Sequence, residues 1–497
     1  MRHTLGIDVG TFETKGVIVD ADGRIVAQAA RPHRMLVPQP GWAEHRPDED
    51  WWGDFVHVTR TMLAESRIDP KSIRAVAASA IGPCMLPVDA DGRALMNGVL
   101  YGVDTRAARE IEELNALAGA DRILERCGNA LTSQSVGPKI LWTRNQRPDV
   151  FARTATFMTS TSFIVMKLTG RRVIDHYTAS SSTPFYDVAA LDWCFDLAPG
   201  IVRREQMPEP MWSTEIAGGV TAAAAAETGL AEGTPVTCGT IDAAAEAVSV
   251  GVLEPGEMMM MYGSTIFIIM PTQARIADAR LWHAPWLFPG RSAAMAGLAT
   301  SGTLTHWFRD EFARDLDPDT AFAALAEEAQ ASPPGARGLV VLPYFSGERT
   351  PIHDPDAKGV IFGLNLTHTR GDVYRAVLEG IALGTAHVID TFREAGAPPS
   401  VIRAVGGGTK NALWAQATSD AGQVAQSLCG KTIGASYGNA FLAALAVGDV
   451  RPDDIRRWNP VEGELVPDPA VAGVYARKNR LFRALYDQTK GLMAQSD

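Results

Sequence analysis

The chain opens with three short apolar runs: Leu5-Gly6-Ile7-Asp8-Val9-Gly10, Lys15-Gly16-Val17-Ile18-Val19-Asp20 and Arg24-Ile25-Val26-Ala27. Asp22-Gly23 separates the last two. Asp-Gly between apolar runs signals a hairpin, because both residues tolerate the positive φ such turns need. A three-stranded antiparallel meander is predicted. The pentapeptide Asp-Ala-Asp-Gly-Arg stands at 20–24 and again at 89–93, each time after an apolar run. It reads as recurring turn chemistry, an internal duplication being the alternative. Pro47-Asp48-Glu49 has the makings of an N-cap and acidic first turn, and Trp51, Trp52, Phe55, Met62 and Leu63 follow at helical spacing. A strand over 74–80 and an amphipathic helix over 104–117 complete a mixed α and β first half.

A second set of signals starts near residue 234. Pro235-Val236-Thr237-Cys238-Gly239 is strand-like, Asp242 opens an alanine-rich helical run to Val250, and Glu254-Pro255-Gly256 turns into a methionine-rich hairpin. Ser332-Pro333-Pro334-Gly335 is a loop, and 373–392 a long apolar-periodic helix. Val401 to Val405 is a short strand running into Gly406-Gly407-Gly408.

At 497 residues the chain holds two or three domains with sizeable cores, and 46% hydrophobic with 21% charged residues is an ordinary globular mixture. Its 46 basic against 57 acidic residues argue against nucleic acid as the main partner while leaving small phosphates open. Five scattered cysteines without a C-x-x-C pair suggest neither a zinc cage nor a disulfide framework, and a reducing cytoplasm is expected. The first residues lack the apolar core of a secretory signal. The most apolar stretch, 258–270, is interrupted by Gly263-Ser264-Thr265 and falls short of the roughly 20 residues a spanning helix needs, so no membrane segment is expected.

Five places can carry chemistry. Asp8-Val9-Gly10-Thr11 ends an apolar strand in a carboxylate and a tight turn, whose free N–H groups can hold a phosphate while the carboxylate holds magnesium through water. Lys15 follows within reach; a plain hairpin is the other reading. Gly263-Ser264-Thr265 repeats the glycine-hydroxyl turn, and two such hairpins can clamp a polyphosphate from both sides. Gly406-Gly407-Gly408-Thr409-Lys410-Asn411 lies between a strand and a helix, either a ligand loop or a flexible connector, and matches neither the dinucleotide nor the Walker A pattern. Asp242, alone among small residues, is either a helix N-cap or a base for an attacking hydroxyl. Asp104 and Arg106 either bind sugar hydroxyls or cap a helix. The ten histidines show no metal spacing.

Together these motifs resemble the FGGY family of carbohydrate kinases over nearly the whole chain and in the right order. The most specific stretches are Leu342-Pro343-Tyr344-Phe345-Ser346-Gly347-Glu348-Arg349-Thr350-Pro351 and Gly359-Val360-Ile361-Phe362-Gly363-Leu364, continuing to Glu379. The resemblance implies an α/β, actin-like and hexokinase-like (ribonuclease H-like) ATPase fold of two domains, 1–252 on the sugar side and 253–497 on the nucleotide side. ATP and Mg2+ would sit in the cleft between them. Carried over by residue, Asp8 and Asp242 serve the metal, and Asp242 is also the catalytic base. Gly10, Thr11 and Lys15 form the first phosphate site and Gly263, Ser264 and Thr265 the second. Gly406, Gly407, Gly408 and Asn411 form the nucleotide loop. Lys139 and Trp142 match a Lys-x-x-Trp element.

The substrate side departs from the pattern. The family's ketopentose kinases direct a Gln-Met-His segment at the sugar, where this chain has Ile81-Gly82-Pro83 followed by Cys84; Asp104 and Arg106 survive behind Tyr101-Gly102. Lost polar groups change which hydroxyls are read. The expected activity is therefore phosphoryl transfer from ATP to a sugar or polyol, a ketopentose such as xylulose or a relative of the erythritol, ribulose, ribitol or glycerol class. An actin-like or chaperone-like ATPase is the remoter alternative. The resemblance makes a homodimer plausible.

Overall fold

The structure, a computed structural model, describes residues 2–495. The first sheet contains β1 (His3–Val9), β2 (Glu13–Asp20), β3 (Ile25–Pro32), β4 (Ile73–Ala80), β5 (Ile216–Gly219), β6 (Pro235–Thr237) and β7 (Thr240–Ile241). Its order is β5-β6-β4-β1-β2-β3, with β7 alongside β4. β1, β2 and β3 are the expected antiparallel meander, and β4 and β6 run parallel to β1 and to each other. The second sheet is built from β8 (Glu257–Tyr262), β9 (Ile266–Thr272), β10 (Trp282–Pro285), β11 (Ser292–Leu298), β12 (Val401–Val405), β13 (Gln426–Cys429) and β14 (Val461–Leu465), in the order β10-β11-β9-β8-β12-β13-β14. It repeats the plan: an antiparallel meander β8-β9-β11, then parallel β12 and β13. The two-fold repetition of the fold is real, but the repeated pentapeptide is not its trace, since both copies lie in the first half. They share turn chemistry instead. Asp20 Oδ1 accepts from the N–H of Asp22 and Arg24, and Asp89 Oδ1 accepts from the N–H of Asp91 and Arg93.

Six helices matter for the site: α1 (Asp54–Ser66), α2 (Asp242–Ser249), α3 (Gly302–Phe312), α4 (Arg370–Glu394), α5 (Ala412–Gly422) and α6 (Ala435–Ala446). Helices α2 and α6 are wedged between the sheets in one apolar cluster. Val17, Val19, Ala75 and Ala77 face them from the first sheet, and Met259, Ile269 and Val405 from the second. Alanine and glycine let the backbones approach. A Cβ on Gly438 would lie 1.9 Å from the carbonyl oxygen of Ala245, and one on Gly6 would lie 2.0 Å from that of Ser436. Helix α6 is buried on nearly all sides, so its sequence carries no amphipathic stripe.

Three local expectations are corrected. The helix expected over 104–117 starts at Ala108, because the Asp104 carboxylate is taken by Arg106 and by the N–H of Ala43 and caps nothing. Asp242 is the first helical residue; the cap position belongs to Ile241. Ahead of α1, Pro47–Gly53 forms a wider helical turn preceded by Arg46, whose N–H is taken by the Asp50 carboxylate. Among the described residues no helix is long and apolar enough to cross a membrane.

Candidate active site

β1 ends at the middle of the first sheet and delivers Asp8 to its upper edge. Ser79, the neighbour of Asp8 on β4, donates to Asp8 Oδ1 at 2.7 Å. Asn439 of α6 donates to that serine and to the carbonyl of Ile7, both at 2.7 Å, so the buried interdomain helix fixes the carboxylate. Lys15 lies directly opposite Asp8 across the β1–β2 pair and holds Glu13 at 3.1 Å. Helix α2 brings Asp242 and, one turn later, Glu246 to the same place. Asp242 Oδ1 accepts the N–H of Ala243, and its Oδ2, like Asp8 Oδ2, has no hydrogen-bond partner among the described residues.

These three carboxyls keep some solvent contact but stand deep among protein atoms, and burial dominates their titration. Burial and the neighbouring Asp8 push Asp242 to about 8. Asp8 rises to about 6, with Ser79 and Lys15 opposing burial. Glu246 rises to about 7, raised by burial and Asp8 and eased by the N–H of Ala435. Among the described residues no three His, Cys, Asp or Glu side chains form a metal cage. Two carboxylates with free oxygens and mutual repulsion do fit magnesium, which takes one or two carboxylates and fills its octahedron with water and phosphate oxygens.

The first glycine turn closes with Gly10 N–H donating to the carbonyl of Glu13 at 2.9 Å, leaving the N–H groups of Thr11 and Phe12 without a partner among the described residues. Tyr101 stands beside this turn, and burial, which the charge of Asp242 reinforces and the neighbourhood of Thr11 and Arg349 opposes, raises its pKa. The second turn, Gly263 to Thr265, has its carbonyls held by the head of α3. Gly302 N–H donates to Gly263 O, and Ser301 and Thr303 N–H donate to Ser264 O, all within 3.2 Å. The Ser-Gly-Glu-Arg-Thr block is anchored beside it. Glu348 accepts from the N–H of Ala299 and of Arg349 at 2.7 Å, and Thr350 N–H bonds to the carbonyl of Gly297. This leaves the half-buried Arg349 with no carboxylate partner among the described residues, close enough to Tyr101 for its charge to act there.

Gly406 ends β12 at φ +92°, where a Cβ would collide with the backbone of Tyr262, so glycine is required there. Gly407 faces open space, while a Cβ on Gly408 would strike Trp414. Asn411 caps α5 through its side-chain oxygen, leaving its amide for a ligand.

On the substrate side, Ile81 follows β4, its N–H held by the carbonyl of Val9, and a Cβ on Gly82 would press against Ile241, next to Asp242. Ile81, Pro83 and Cys84 are buried, and burial lifts the Cys84 thiol to about 12, so it stays neutral. The wall where the family pattern has amide and imidazole is apolar. Asp104 and Arg106 are fully enclosed. They pair with each other, Arg106 also bonds Glu44 at 2.9 Å, and its guanidinium lies 3.9 Å over the ring of Trp42. One nitrogen, Nη1, is buried with no partner among the described residues, which is the single group of this pair with capacity left for a ligand. Lys139 is buried beside them, donating to the carbonyl of Ser133 at 2.6 Å, and burial pulls it down to about 8.

Sequence reasoning passed over Glu246, Tyr101 and Arg349 as site residues. Glu246 was available from its spacing, four residues after Asp242 on one helix face. The other two come together only through the fold. Two surface hollows of about 340 and 530 Å3 lie elsewhere on the second half, one lined by Tyr344, His387 and Arg483 and the other by 272–278 and 394–397. Converging charge, not cavity size, defines this site.

Two sheets of one plan, carboxylates at the end of β1 and the start of α2, and a glycine turn in each half define a two-lobed phosphotransferase. Residues 3–249 match the N-terminal domain of the FGGY family of carbohydrate kinases, and residues 258–447 match its C-terminal domain. The chain belongs to the FGGY family of carbohydrate kinases, with that family's actin-like fold, and is an ATP-dependent phosphotransferase with an alcohol group as acceptor. It is 28% identical to the xylulose kinase of Escherichia coli over 495 residues, 99% of this chain and all of that one. A ribulokinase of Geobacillus thermodenitrificans is 28% identical over 493 residues, covering 90% and 86% of the two chains. The crystal structure of xylulose kinase from Rhodospirillum rubrum superposes with a TM-score of 0.93 at 33% identity, covering 99% of this chain and all of that one.

Proposed function

We propose that this enzyme transfers the γ-phosphoryl group of ATP to a hydroxyl of a ketopentose of the xylulose type, with Asp242 as the base. The observation that carries this reading is the meeting of an unpaired Asp242 oxygen, the open N–H groups of the first glycine turn and an uncompensated Arg349 around Tyr101. Asp242 accepts the proton of the attacking hydroxyl as that oxygen closes on phosphorus in line with the leaving ADP oxygen. The N–H groups at 11–12 and 264–265 receive phosphate oxygens, and the loop at 406–408, with the amide of Asn411, supports the nucleotide. Asp8 and Asp242 would hold Mg2+, which when bound neutralises the phosphates and the two carboxylates together. The five free thiols, four of them buried, support a cytoplasmic setting, and family likeness supports a homodimer.

The test is ADP release with Mg-ATP against ketopentoses, tetritols, pentitols and glycerol. Strong stimulation by xylulose supports the reading, and preference for ribulose moves the substrate to the second relative. Stimulation by none of them would sink it. Arg349→Gln is expected to lower kcat at least about tenfold with little change in Tm, because a preorganised cation loses its effect only where charge develops. An unchanged kcat would remove Arg349 from the chemistry.

A further inference from the structure

Two histidines stand directly beneath the first glycine turn. His33 Nε2 lies 3.0 Å from the carbonyl oxygen of Gly10, and its Nδ1 lies 2.8 Å from Asp54 Oδ2. His45 Nε2 lies 3.0 Å from the carbonyl oxygen of Thr11, and its Nδ1 lies 3.1 Å from the indole nitrogen of Trp51. The ring centroids are 4.9 Å apart, edge to face, and both side chains are buried.

The partners dictate the protons. Asp54 is the first residue of α1, where a helix favours negative charge, and its oxygens pair with Arg31 at 3.2 Å and accept from the Thr14 hydroxyl. A carboxylate and a peptide carbonyl only accept, so His33 has to donate from both nitrogens and is an imidazolium. An indole N–H only donates, so His45 accepts at Nδ1, carries its hydrogen on Nε2 and is neutral. A trans peptide points its N–H opposite its C=O. Holding the oxygens of Gly10 and Thr11 therefore aims the N–H groups of Thr11 and Phe12 away from the histidines, and these are the two N–H groups left unpaired. In the second turn, backbone amides at the head of α3 do the same work for Gly263 and Ser264.

We propose that His33 and His45 are a positioning pair, one an imidazolium and one a neutral Nε2–H tautomer, that together aim the Gly10-Thr11 turn at a phosphate group. This use of the turn rests on the kinase reading; the protonation states do not. Electrostatics agree. Burial opposes charge on His33, but the hydrogen bond and charge of Asp54, the Gly10 carbonyl and Asp50 outweigh it and raise its pKa. Burial and the neighbouring His33 charge drive His45 down to about 4. Asp54, Asp50, Arg31 and His45 are the titratable and charged groups facing His33. Because the folded pKa of His33 is raised, its support is complete below about 6.5 and is lost as pH climbs through the folded value.

Long-range 1H–15N spectra of the full chain labelled at histidine decide the protonation. One signal, missing in His33→Asn, should show both nitrogens protonated at neutral pH, and another, missing in His45→Gln, should stay a neutral Nε2–H tautomer. A His33 that titrates below 6.5 overturns the proposal. Calorimetric binding of Mg-ATP tests the positioning. His33→Asn and His45→Leu should weaken binding about tenfold, as expected when a charged or buried hydrogen bond is lost, whereas His45→Gln, which keeps the donor, should stay within about threefold. Unchanged affinity in a folded His33→Asn would defeat the positioning role. If wild type binds no ATP, the kinase reading fails and the positioning with it, while the spectra still report the protons.

Discussion

Asp242→Asn is expected to end sugar-stimulated phosphoryl transfer, with kcat falling by roughly a thousandfold, the usual contribution of a positioned base. The same change should stabilise the unliganded enzyme at alkaline pH. Asp8, Glu246 and Asp242 have folded pKa values raised to about 6, 7 and 8, with burial the first cause in each. An acid with a raised folded pKa contributes stability that is complete below its unfolded value near 4 and is lost as pH rises through the folded one. Wild type therefore loses stability between pH 4 and 8 unless cations and phosphates fill the site. Asparagine removes one of the three charges. A pKa unit is worth about 1.4 kcal/mol, so even half of the Asp242 elevation amounts to a gain on the order of 3 kcal/mol, a few degrees in Tm at pH 8.5. Thermal unfolding at pH 5 and 8.5 measures it. A variant less stable than wild type at pH 8.5, or one that keeps its turnover, contradicts this account of the site.

Gly438→Val should be at least as damaging although it touches no ligand. Its Cβ would sit 1.9 Å from the carbonyl oxygen of Ala245, three residues beyond Asp242 on α2, and the atom in the way is helix backbone that cannot rotate aside. Overpacking of this kind costs about 1–3 kcal/mol for smaller intrusions. Here the expectation is the upper end or beyond, with α2 pushed off α6 and Asp242 carried with it, so that kcat falls in whatever fraction still folds. Gly491→Ala is the matched control: nothing lies within 4 Å of its Cβ, and alanine in a helix is favoured over glycine by roughly 0.5–1 kcal/mol. Wild-type Tm and kcat in Gly438→Val would show that the two helices are not held where the structure puts them.

Much of this was legible in the sequence because it is local. The Asp-Gly turns, the meander, the position of Asp242 at a helix start and the glycine turns each need only a few neighbouring residues. What was not legible depends on partners distant in the chain. Asp104 reads as a helix cap until Arg106 and Ala43 claim it. His33 and His45 show no pattern among themselves, and their meaning comes from carbonyls at Gly10 and Thr11 that the fold brings near, through β3 for His33 and through the pairing of Glu44–His45 with Gly98–Val99 for His45. Helix α6 gives no amphipathic signal because every side of it is covered. Arg349 was quoted within a motif, yet its role as an unpaired cation needed the anchoring of Glu348 to Ala299.

The burial of α6 against β1 and β4 also has a consequence for how the protein comes into being. β1, β2 and β4, the strands of the first sheet on which α6 chiefly packs, are made by residue 80, but α6 itself leaves the ribosome only after residue 446. At 5–20 residues per second their apolar face waits roughly 20 to 70 seconds for a partner. The two halves expressed as separate polypeptides are therefore expected to be more soluble made together than apart, which co-expression against single expression measures.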